Sequence, residues 1–343
     1  MSTASVNAVP PEVAASQLVF QLATGYIASS ALYVAVKLRL ADRLADGPRP
    51  VADLAAAAGT NEDALYRVLR LLASLRVFEE VSPGTFANNL ASSTMRSDAP
   101  GSTQPMALWM SDPFHFRVYA DMMHSVMTGQ PAADKTVSMP VFEYFQRDKE
   151  LSEVFNDAMT AFSAFVVPPA LEAYDFGDIS LLVDVAGGHG QVLTSILQKH
   201  PRMRGILFDI EHVIAGAIPR LEQAGVNDRC PTATGDFFKA VPEGGDAYIM
   251  KHIIHDWDDE RALKILANIG KAMKPGGRII LLESVLASSN EPDFGKLIDL
   301  EMLVMPGGRE RTADEFRALF QRAGFTVTKI VPTKSPLSVI EAR

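Results

Sequence analysis

Apolar residues recur at helical spacing in the first half of the chain, whereas the second half holds short apolar runs separated by helical patterns. Residues 13–44 fit two helices, and residues 90–175 predict further helices rich in large apolar side chains. Runs such as residues 181–185 have the length and β-branching of buried parallel strands. The last two runs, 324–331 and 337–342, predict a closing pair of strands. The pattern therefore indicates the α/β class: a mostly parallel sheet with a terminal antiparallel hairpin, preceded by a helical N-terminal half.

Residues 50–89 predict a winged helix within that first half. Thr60 or Asn61 is placed to cap the second of two helices, and a hairpin follows. Winged helices can read DNA, which requires a positively charged face. Here acidic residues lie on both the would-be recognition helix and the wing, among them Glu62 and Glu80. We therefore expect an all-helical winged-helix domain for dimerisation or scaffolding rather than a DNA reader.

A proline pair, Pro168-Pro169, interrupts the helical pattern shortly before the first strand of the sheet. We expect the helix to end there and a domain boundary near residue 170. Residues 1–12, which are small and polar with two prolines, predict a frayed arm. The chain then divides into a winged-helix dimerisation domain at 1–100, a helical linker and pocket region at 101–170, and a sheet domain at 171–343.

The most informative stretch is a glycine turn at residues 184–190, which read D-V-A-G-G-H-G. It joins a buried apolar run to a helical pattern, so a helix N-terminus points at the turn. Gly187, Gly188 and Gly190 allow the backbone to approach a ligand that a Cβ would exclude. Asp209 ends the next strand, 19 residues past Gly190, where an acid can hold the two hydroxyls of a ribose. The stretch predicts a nucleoside-binding βαβ unit.

Spacing and charge narrow the choice of nucleoside. The dinucleotide fingerprint G-x-G-x-x-G is not matched by A-G-G-H-G at residues 186–190. Asp184, directly before the turn, suits a cation such as the ammonium of an amino acid better than a pyrophosphate. S-adenosylmethionine has a ribose, an ammonium and no phosphate. We therefore favour S-adenosylmethionine, with a dinucleotide and a purely structural turn as the alternatives.

A second loop, G-D-F-F at residues 235–238, follows a third short element of the sheet. It is expected at the carboxyl ends of the strands, where open α/β sheets bind their ligands. Asp236 can accept a hydrogen bond from an adenine amine, and Phe237 can cover the adenine ring. The alternative is an ordinary polar turn.

Three ionisable residues, His255, Glu283 and Glu310, converge on the same edge of the predicted sheet. His255 lies between a strand end and a helix start, a position that favours the neutral imidazole. A phenol has a pKa near 10, and a neutral histidine can remove its proton as the oxygen attacks. An acid on the other ring nitrogen then stabilises the imidazolium. The three residues predict a general base with two carboxylates behind it.

A metal site and a cysteine nucleophile are the alternatives for this edge. His252 and His255 lie among several acids, but the sequence shows no second histidine cluster, and the acids are well placed for helix capping. Cys230 is the single cysteine and has no base near it in the sequence. We therefore expect no metal and no catalytic thiol.

Composition sets the class of protein and its compartment. The chain has 343 residues, of which 48% are hydrophobic and 21% charged, as in ordinary globular proteins. Its net charge of −9 gives no general attraction to nucleic acid or to an anionic membrane. The single cysteine excludes an internal disulfide and fits a reducing compartment. Neither a signal-peptide pattern nor an apolar run of transmembrane length is evident, so we expect a cytoplasmic enzyme.

Five motifs in order resemble the S-adenosylmethionine-dependent O-methyltransferases, the family of the plant caffeic acid and the hydroxyindole O-methyltransferases. They are D-V-A-G-G-H-G at 184–190, F-D-I at 208–210, G-D-F-F at 235–238, K-H-I-I-H-D-W-D-D-E at 251–260 and G-G-R-E-R-T at 307–312. With the winged helix and the terminal hairpin, the resemblance covers nearly the whole chain. It implies transfer of the methyl group of S-adenosylmethionine to a hydroxyl of a small aromatic acceptor, with S-adenosylhomocysteine as the product.

The resemblance also implies roles for individual residues. His255 matches the base, and Glu283 and Glu310 match the acids that flank and orient it. Family dimers exchange N-terminal helices, which implies a homodimer. Many relatives begin the glycine turn D-V-G-G-G, so Ala186 departs from the pattern; we expect cofactor binding to survive this small methyl group. The cofactor-binding positions are Asp184, Gly187, Gly188, Gly190, Asp209, Asp236, Phe237 and Lys251.

Large apolar side chains are the candidates for an acceptor pocket, although core packing explains most residues of this kind. They suggest a flat apolar acceptor. One alternative function is a relative that binds S-adenosylmethionine but hydroxylates or decarboxylates an aromatic metabolite; the other is a winged-helix DNA-binding regulator. The complete set of His255, Glu283 and Glu310 argues against the first, and the net charge argues against the second. The candidate pocket residues are Phe155, Met159, Phe162, Trp257, Met302 and Met305.

Overall fold

The computed structural model describes residues 10–343. Most of the frayed arm predicted at 1–12 lies outside the described residues. Pro11 and Glu12 do not fray but form the first turn of a helix, which tolerates proline because its first amides have no helical partner. The chain forms two compact units that divide between Phe116 and Arg117. No observation tests the three-part division at residues 100 and 170, which stays a prediction.

The first unit is mainly helical and carries a small antiparallel sheet. The sheet has the order β1-β3-β2, so the description of this unit as all-helical was too strict. Its core joins helix and sheet residues, among them the fully buried Leu54, Leu69 and Phe86. The elements are α1 (Pro11–Lys37), α2 (Leu40–Arg43), β1 (Arg49–Pro50), α3 (Val51–Ala58), α4 (Glu62–Ser74), β2 (Phe78–Ser82), β3 (Thr85–Asn88), α5 (Leu90–Ser93) and α6 (Gln104–Met110), and α7 (Pro113–Ala120) spans the division.

The winged helix forms from α3, α4 and the β2–β3 hairpin. Asn61 rather than Thr60 caps α4, and its side chain accepts a hydrogen bond from the Ala64 amide at 3.0 Å. One face of α4 is buried through Leu65, Leu69 and Leu72. The amphipathic pattern of the sequence therefore predicted this element and its cap.

Helix α1 is apolar along its length but mostly exposed. Phe20 and Leu22 are 71% and 74% exposed. The expectation that no apolar run reaches transmembrane length was wrong, because α1 and the later helix at Lys149–Ala173 are long and apolar enough by length and composition. Such helices are weak indicators of a membrane span, since core helices meet the same criteria. The exposed face of α1 is therefore an apolar surface that the described residues of this unit do not cover.

The second unit is built on a seven-stranded sheet with the order β11-β12-β8-β7-β4-β5-β6. The strands from β8 to β6 are parallel, and β11 and β12 form the antiparallel hairpin predicted from the sequence. A separate parallel pair, β9 with β10, joins Arg311 to Val285. The strands are β4 (Leu181–Val185), β5 (Arg204–Asp209), β6 (Thr232–Thr234), β7 (Ala247–Lys251), β8 (Arg278–Glu283), β9 (Val285–Leu286), β10 (Arg311–Thr312), β11 (Val327–Pro332) and β12 (Ser338–Ala342).

Helices cover both faces of this sheet, as expected for a parallel arrangement. One core cluster includes Ile196 and Leu197, and the other includes Ile265 and Phe316. The helices are α8 (Met122–Thr128), α9 (Ala132–Val137), α10 (Val141–Arg147), α11 (Lys149–Ala173), α12 (Gln191–Lys199), α13 (Glu211–Gln223), α14 (Asp259–Ala272), α15 (Phe294–Val304) and α16 (Ala313–Arg322).

Helix α11 continues through the proline pair that was expected to end it. Pro168 and Pro169 lie inside the helix, which ends at Ala173. Each proline removes one backbone hydrogen bond, but the buried residues Val166 and Val167 on this helix pack in the core beneath the sheet. Tertiary packing therefore outweighs the local cost of the prolines.

Candidate active site

The glycine turn lies between β4 and α12 and has the backbone that its glycines predict. Gly188 and Gly190 have φ values of 59° and 79°, in the left-handed region. A Cβ on Gly187 would lie 2.5 Å from Leu207 Cδ1 and 2.6 Å from Asp184 Cγ, so this residue has no room for a side chain. Ala186 also has a positive φ of 56°, a conformation that glycine adopts more readily than alanine. The departure at Ala186 therefore strains the backbone rather than filling the site.

Asp209 closes the glycine turn from the end of β5. Its Oδ2 accepts a hydrogen bond from the Gly188 amide at 2.8 Å, and its Oδ1 accepts one from the Ile210 amide at 2.7 Å. Burial raises the pKa of this carboxyl. The acid expected to hold a ribose thus also fixes the loop at its side.

Asp184 is 1% exposed, and its Oδ2 has no hydrogen-bond partner among the described residues. Burial, reinforced by the nearby Asp209, raises the pKa of Asp184 to about 7. Lys251, at the end of β7, acts in the opposite direction. A buried carboxylate with one unpartnered oxygen, beside a turn of closely approaching backbone, fits a cationic group of a ligand.

Lys251 lies at the same edge as the glycine turn. Burial lowers the pKa of its ammonium, an effect opposed by Glu283 and Asp184. Its Nζ lies 5.7 Å from the centre of the Phe162 ring. The sheet therefore brings one cation and several carboxylates together.

The loop after β6 satisfies part of its own polarity. Asp236 Oδ1 accepts a hydrogen bond from the Phe238 amide at 2.8 Å, and Oδ2 lies 3.5 Å from Lys239 Nζ. The polar-turn alternative therefore explains the Asp236 contacts inside the chain. Phe237 packs against Phe238 at 4.7 Å and Trp257 at 6.0 Å between ring centres.

His255 lies on a short 3-10 turn, Ile254–Asp256, directly after β7. It is 5% exposed. Its Nδ1 lies 2.7 Å from Glu310 Oε1, whereas Glu283 Oε2 is 4.0 Å away. Its Nε2 lies 3.3 Å from Asp256 Oδ1. Glu310 therefore contacts the imidazole directly, and the three residues converge as the sequence predicted.

The two glutamates contact different parts of the site: Glu310 contacts the imidazole, and Glu283 contacts the backbone before it. Glu283 Oε1 accepts hydrogen bonds from the Ile253 and Ile254 amides at 3.1 and 3.0 Å, so it holds the turn that carries His255. Burial raises the pKa of Glu283 to about 7 and that of Glu310 to about 8, the latter with help from Asp299. Both carboxyl groups therefore change their protonation state close to neutral pH.

His252 is a further residue of the site, which the sequence suggested only as a possible metal ligand. Its ring centre lies 4.2 Å from that of His255, its φ is +52°, and its Nε2 is buried without a partner among the described residues. His252, His255 and Glu310 are close enough together to hold a metal ion. His255 Nδ1 already contacts Glu310, so such an ion would compete with that hydrogen bond.

The predicted pocket residues fall into separate groups. Phe162 reaches the histidine pair, with its ring centre 5.2 Å from His252 and 5.9 Å from Phe294. Trp257 packs instead with Phe238 at 4.8 Å. Phe155 lies 5.2 Å from Phe145. Met159 is half-buried on α11, and Met302 and Met305 are buried in and just after α15.

Arg311 and Gly308 also escaped the sequence analysis, although both belong to the motif G-G-R-E-R-T at 307–312. Arg311 is a fully buried guanidinium that contacts the turn around His255. Gly308 lies so close to that turn that a Cβ would be 2.0 Å from His255 O. The glycine pair was the one signal in the sequence that pointed to this close approach.

Cys230 is buried, and burial raises the pKa of its thiol to about 12. A buried thiol with a raised pKa is a poor nucleophile.

Comparisons with known proteins cover nearly the whole chain. A family model described as an O-methyltransferase domain matches residues 119–326, and one described as an O-methyltransferase dimerisation domain matches residues 20–98. Phenazine O-methyltransferase PhzM of Lysobacter antibioticus is 43% identical over 328 residues, which is 96% of each chain. The mitomycin biosynthesis 6-O-methyltransferase of Streptomyces lavendulae is 34% identical over 333 residues, covering 96% of this chain and 95% of the relative.

A solved structure gives the same picture. The crystal structure of human N-acetylserotonin methyltransferase in complex with SAM superposes with a TM-score of 0.88 at 27% identity, covering 100% of this chain and 99% of that one. These relatives all bear the names of methyltransferases. They give no support to the alternatives of hydroxylation, decarboxylation or DNA regulation.

Proposed function

The chain belongs to the S-adenosylmethionine-dependent O-methyltransferases, and we propose that it methylates a hydroxyl of a small, flat aromatic acceptor with His255 as the general base. The observation that carries this proposal is the 2.7 Å contact between His255 Nδ1 and Glu310 Oε1 beside a cofactor loop at the same sheet edge. With Glu310 in its ionised form, Nδ1 donates to the carboxylate and Nε2 is left to accept a proton.

S-adenosylmethionine supplies an electrophilic methyl group when it is bound. The residues present fit that group, because Asp184 Oδ2 is buried without a partner and Gly187 has no room for a Cβ. We assign Asp184 and Lys251 to the amino-acid moiety, Asp209 to the ribose, and Asp236 and Phe237 to the adenine. Gly187, Gly188 and Gly190 form the backbone cradle.

His255 takes the proton of the acceptor hydroxyl. The pKa of a phenol is about 10, so at neutral pH the hydroxyl needs a base as it becomes a nucleophile. Nε2 receives the proton, and Glu310 stabilises the resulting imidazolium through Nδ1. Asp256 Oδ1 lies 3.3 Å from Nε2. In the reaction the acceptor oxygen displaces this carboxyl group, or the carboxyl group receives the proton from Nε2 afterwards.

Glu283 positions the base through main-chain amides rather than through the imidazole. It lies 4.0 Å from the imidazole and binds the amides of Ile253 and Ile254. Its part is to fix the turn before His255, and Glu310 orients the ring.

The acceptor class is inferred from aromatic and thioether side chains of this unit, one of which lies beside the histidine pair. Phe162 stands beside His252, and Met302 and Met305 are buried in the same unit. Such side chains suit a flat apolar ring. The relatives named for phenazine and mitomycin substrates support an aromatic or quinonoid secondary metabolite. We assign Phe155, Met159 and Trp257 to the same pocket.

The assembly proposed is a homodimer in the cytoplasm. The exposed apolar face of α1 and the match to a dimerisation model support the dimer. The single, unpaired cysteine supports a reducing compartment.

Methyl transfer is tested by incubating the protein with methyl-labelled S-adenosylmethionine and a panel of phenols, hydroxyphenazines, hydroxyquinones and hydroxyindoles. Mass spectrometry should find one added methyl on an acceptor oxygen. Asp209→Ala should weaken binding of S-adenosylhomocysteine at least tenfold by calorimetry. Label on no acceptor, together with normal cofactor binding, would reject the proposed acceptor class; unchanged binding in Asp209→Ala would reject the ribose assignment.

A further inference from the structure

Arg311 spans the turn that carries His255 without touching the imidazole. The guanidinium is 1% exposed. Its Nη1 donates to Ile254 O at 3.2 Å and its Nη2 to Trp257 O at 3.0 Å. These carbonyls belong to the residue before His255 and to the second residue after it. One planar group therefore joins both sides of the turn.

The segment that carries Arg311 is fixed to the same turn by its backbone. The Arg309 amide donates to His255 O at 2.8 Å. Gly308 approaches His255 and Asp256 so closely that no side chain fits. In addition, Arg311 pairs with Val285 between β10 and β9, directly after the strand that ends in Glu283. The turn is thus held between the Glu283 strand and the 308–311 segment.

Asp259 completes the site of Arg311. Its Oδ1 accepts from Arg311 Nη2 at 2.9 Å and from Nε at 3.2 Å, and its Oδ2 accepts from Arg322 Nη1 at 2.7 Å. Asp259 begins helix α14 and so anchors the guanidinium to a rigid element. Arg322 shares this carboxylate through the other oxygen, Oδ2.

We propose that Arg311 is a positioning residue for methyl transfer, which holds the main chain on both sides of His255 so that the imidazole stays on Glu310. This inference rests on the proposed role of His255 as the base. A planar guanidinium can donate to two carbonyls and one carboxylate at once, whereas a lysine ammonium is a single point of attachment. A displacement of the base by about 1 Å can lower the rate about 100-fold.

The test compares Arg311→Lys with Arg322→Met, the matched control that removes a cation from the same Asp259 carboxylate. Steady-state kinetics give kcat and KM, and calorimetry gives the affinity for S-adenosylhomocysteine. For a weakly acidic phenol we expect Arg311→Lys to lower kcat about 100-fold, with KM for S-adenosylmethionine and the calorimetric affinity within threefold of wild type. Arg322→Met should keep kcat within twofold.

A purely structural role is separated by the acidity of the acceptor. An acceptor whose hydroxyl is already ionised at the assay pH needs no base, so the deficit of Arg311→Lys should shrink to a few fold for such acceptors. Raising the pH should shrink it in the same way for weakly acidic phenols. A deficit independent of acceptor acidity and of pH would overturn the proposal. Loss of S-adenosylhomocysteine binding in Arg311→Lys would also overturn it, because Arg311 would then hold the fold rather than the base.

His255→Ala in the same assays separates this inference from the proposed function. If His255→Ala keeps the wild-type rate, the base assignment itself is wrong. If His255→Ala shows a deficit that depends on acidity and Arg311→Lys does not, only the role of Arg311 is wrong. The double variant should be no slower than His255→Ala; an additional 100-fold loss would show that Arg311 acts elsewhere.

Discussion

Gly308 has no room for a side chain, because an added Cβ would lie 2.0 Å from His255 O and 2.4 Å from the carbonyl carbon of Asp256. Both neighbours are backbone atoms, which cannot rotate away. Substitution must therefore move the turn and with it the imidazole. Gly308 therefore fixes the position of the main chain at His255, the proposed base.

Gly308→Ala should lower kcat about 100-fold while calorimetric binding of S-adenosylhomocysteine stays near wild type. The matched control is Gly276→Ala, where φ is +76° but no atom lies within 4 Å of the added Cβ. That control should lose about 1 kcal/mol of stability from backbone strain and keep its kcat. Equal kcat values for the two variants would contradict the proposal that the close approach of Gly308 positions His255.

The sequence predicted which side chains would carry the proposed chemistry, but not which residues hold them in position. His255 and Glu310 are 55 residues apart, and the resemblance supplied their pairing, which the 2.7 Å contact reproduces. Arg311 was missed because a hydrogen bond to a backbone carbonyl leaves no trace in residue spacing. Gly308 was missed because a glycine pair indicates a close approach but does not show which segment it approaches. His252 was considered only as a metal ligand, since its positive φ and its contact with the His255 ring appear only in the fold.

At the scale of the element, strand β4 carries a buried carboxyl group, Asp184, whose ionised form is unfavourable in the ligand-free protein. Asp184 sits at the buried end of β4, and burial raises its pKa to about 7 from an ordinary 3.8. The folded protein therefore keeps a proton that the unfolded chain releases above pH 4. Stability from this group is present below about pH 4 and is lost as the pH rises toward 7.

Asp184→Asn should remove this part of the pH dependence. The ligand-free wild type should lose stability between pH 5 and pH 8 at up to about 1.4 kcal/mol per pH unit from Asp184 while it titrates. Urea unfolding at both pH values should show a smaller loss in the variant. Other buried acids, such as Glu283, contribute equally to both proteins. Identical pH dependence would contradict the raised pKa that burial gives Asp184.

Helix α11 shows where local patterns mislead at this scale. The proline pair predicted a helix end near residue 168, yet the helix runs from Lys149 to Ala173. Sequence alone cannot weigh two lost backbone hydrogen bonds against the burial of Val166 and Val167 in the sheet core. By contrast, strand β4, the terminal hairpin and the Asn61 cap depend on local patterns, and these were predicted correctly.

At the scale of the whole molecule, the first unit leaves the apolar face of α1 uncovered. Phe20 and Leu22 are 71% and 74% exposed on a helix whose charged residues, Glu12 and Lys37, stand at its ends. A second copy of this chain is the occupant that the dimerisation match supports. Covering this face would remove a large apolar area from water.

The double variant Phe20→Glu, Leu22→Glu should therefore be monomeric. Light scattering after gel filtration should give twice the 37.2 kDa chain mass for wild type and the single mass for the variant. Leu90→Glu is the control, because Leu90 is 88% exposed in the same unit but lies on α5. A wild-type protein with the mass of one chain would exclude the homodimer.

The most direct test of the central claim is the single-turnover rate of methyl transfer by His255→Ala with a weakly acidic phenol near neutral pH. Removal of the base should slow transfer about 10²- to 10⁴-fold, and S-adenosylhomocysteine should bind with wild-type affinity, because Asp184 and Asp209 remain in place. A rate within a few fold of wild type would contradict general-base catalysis by His255.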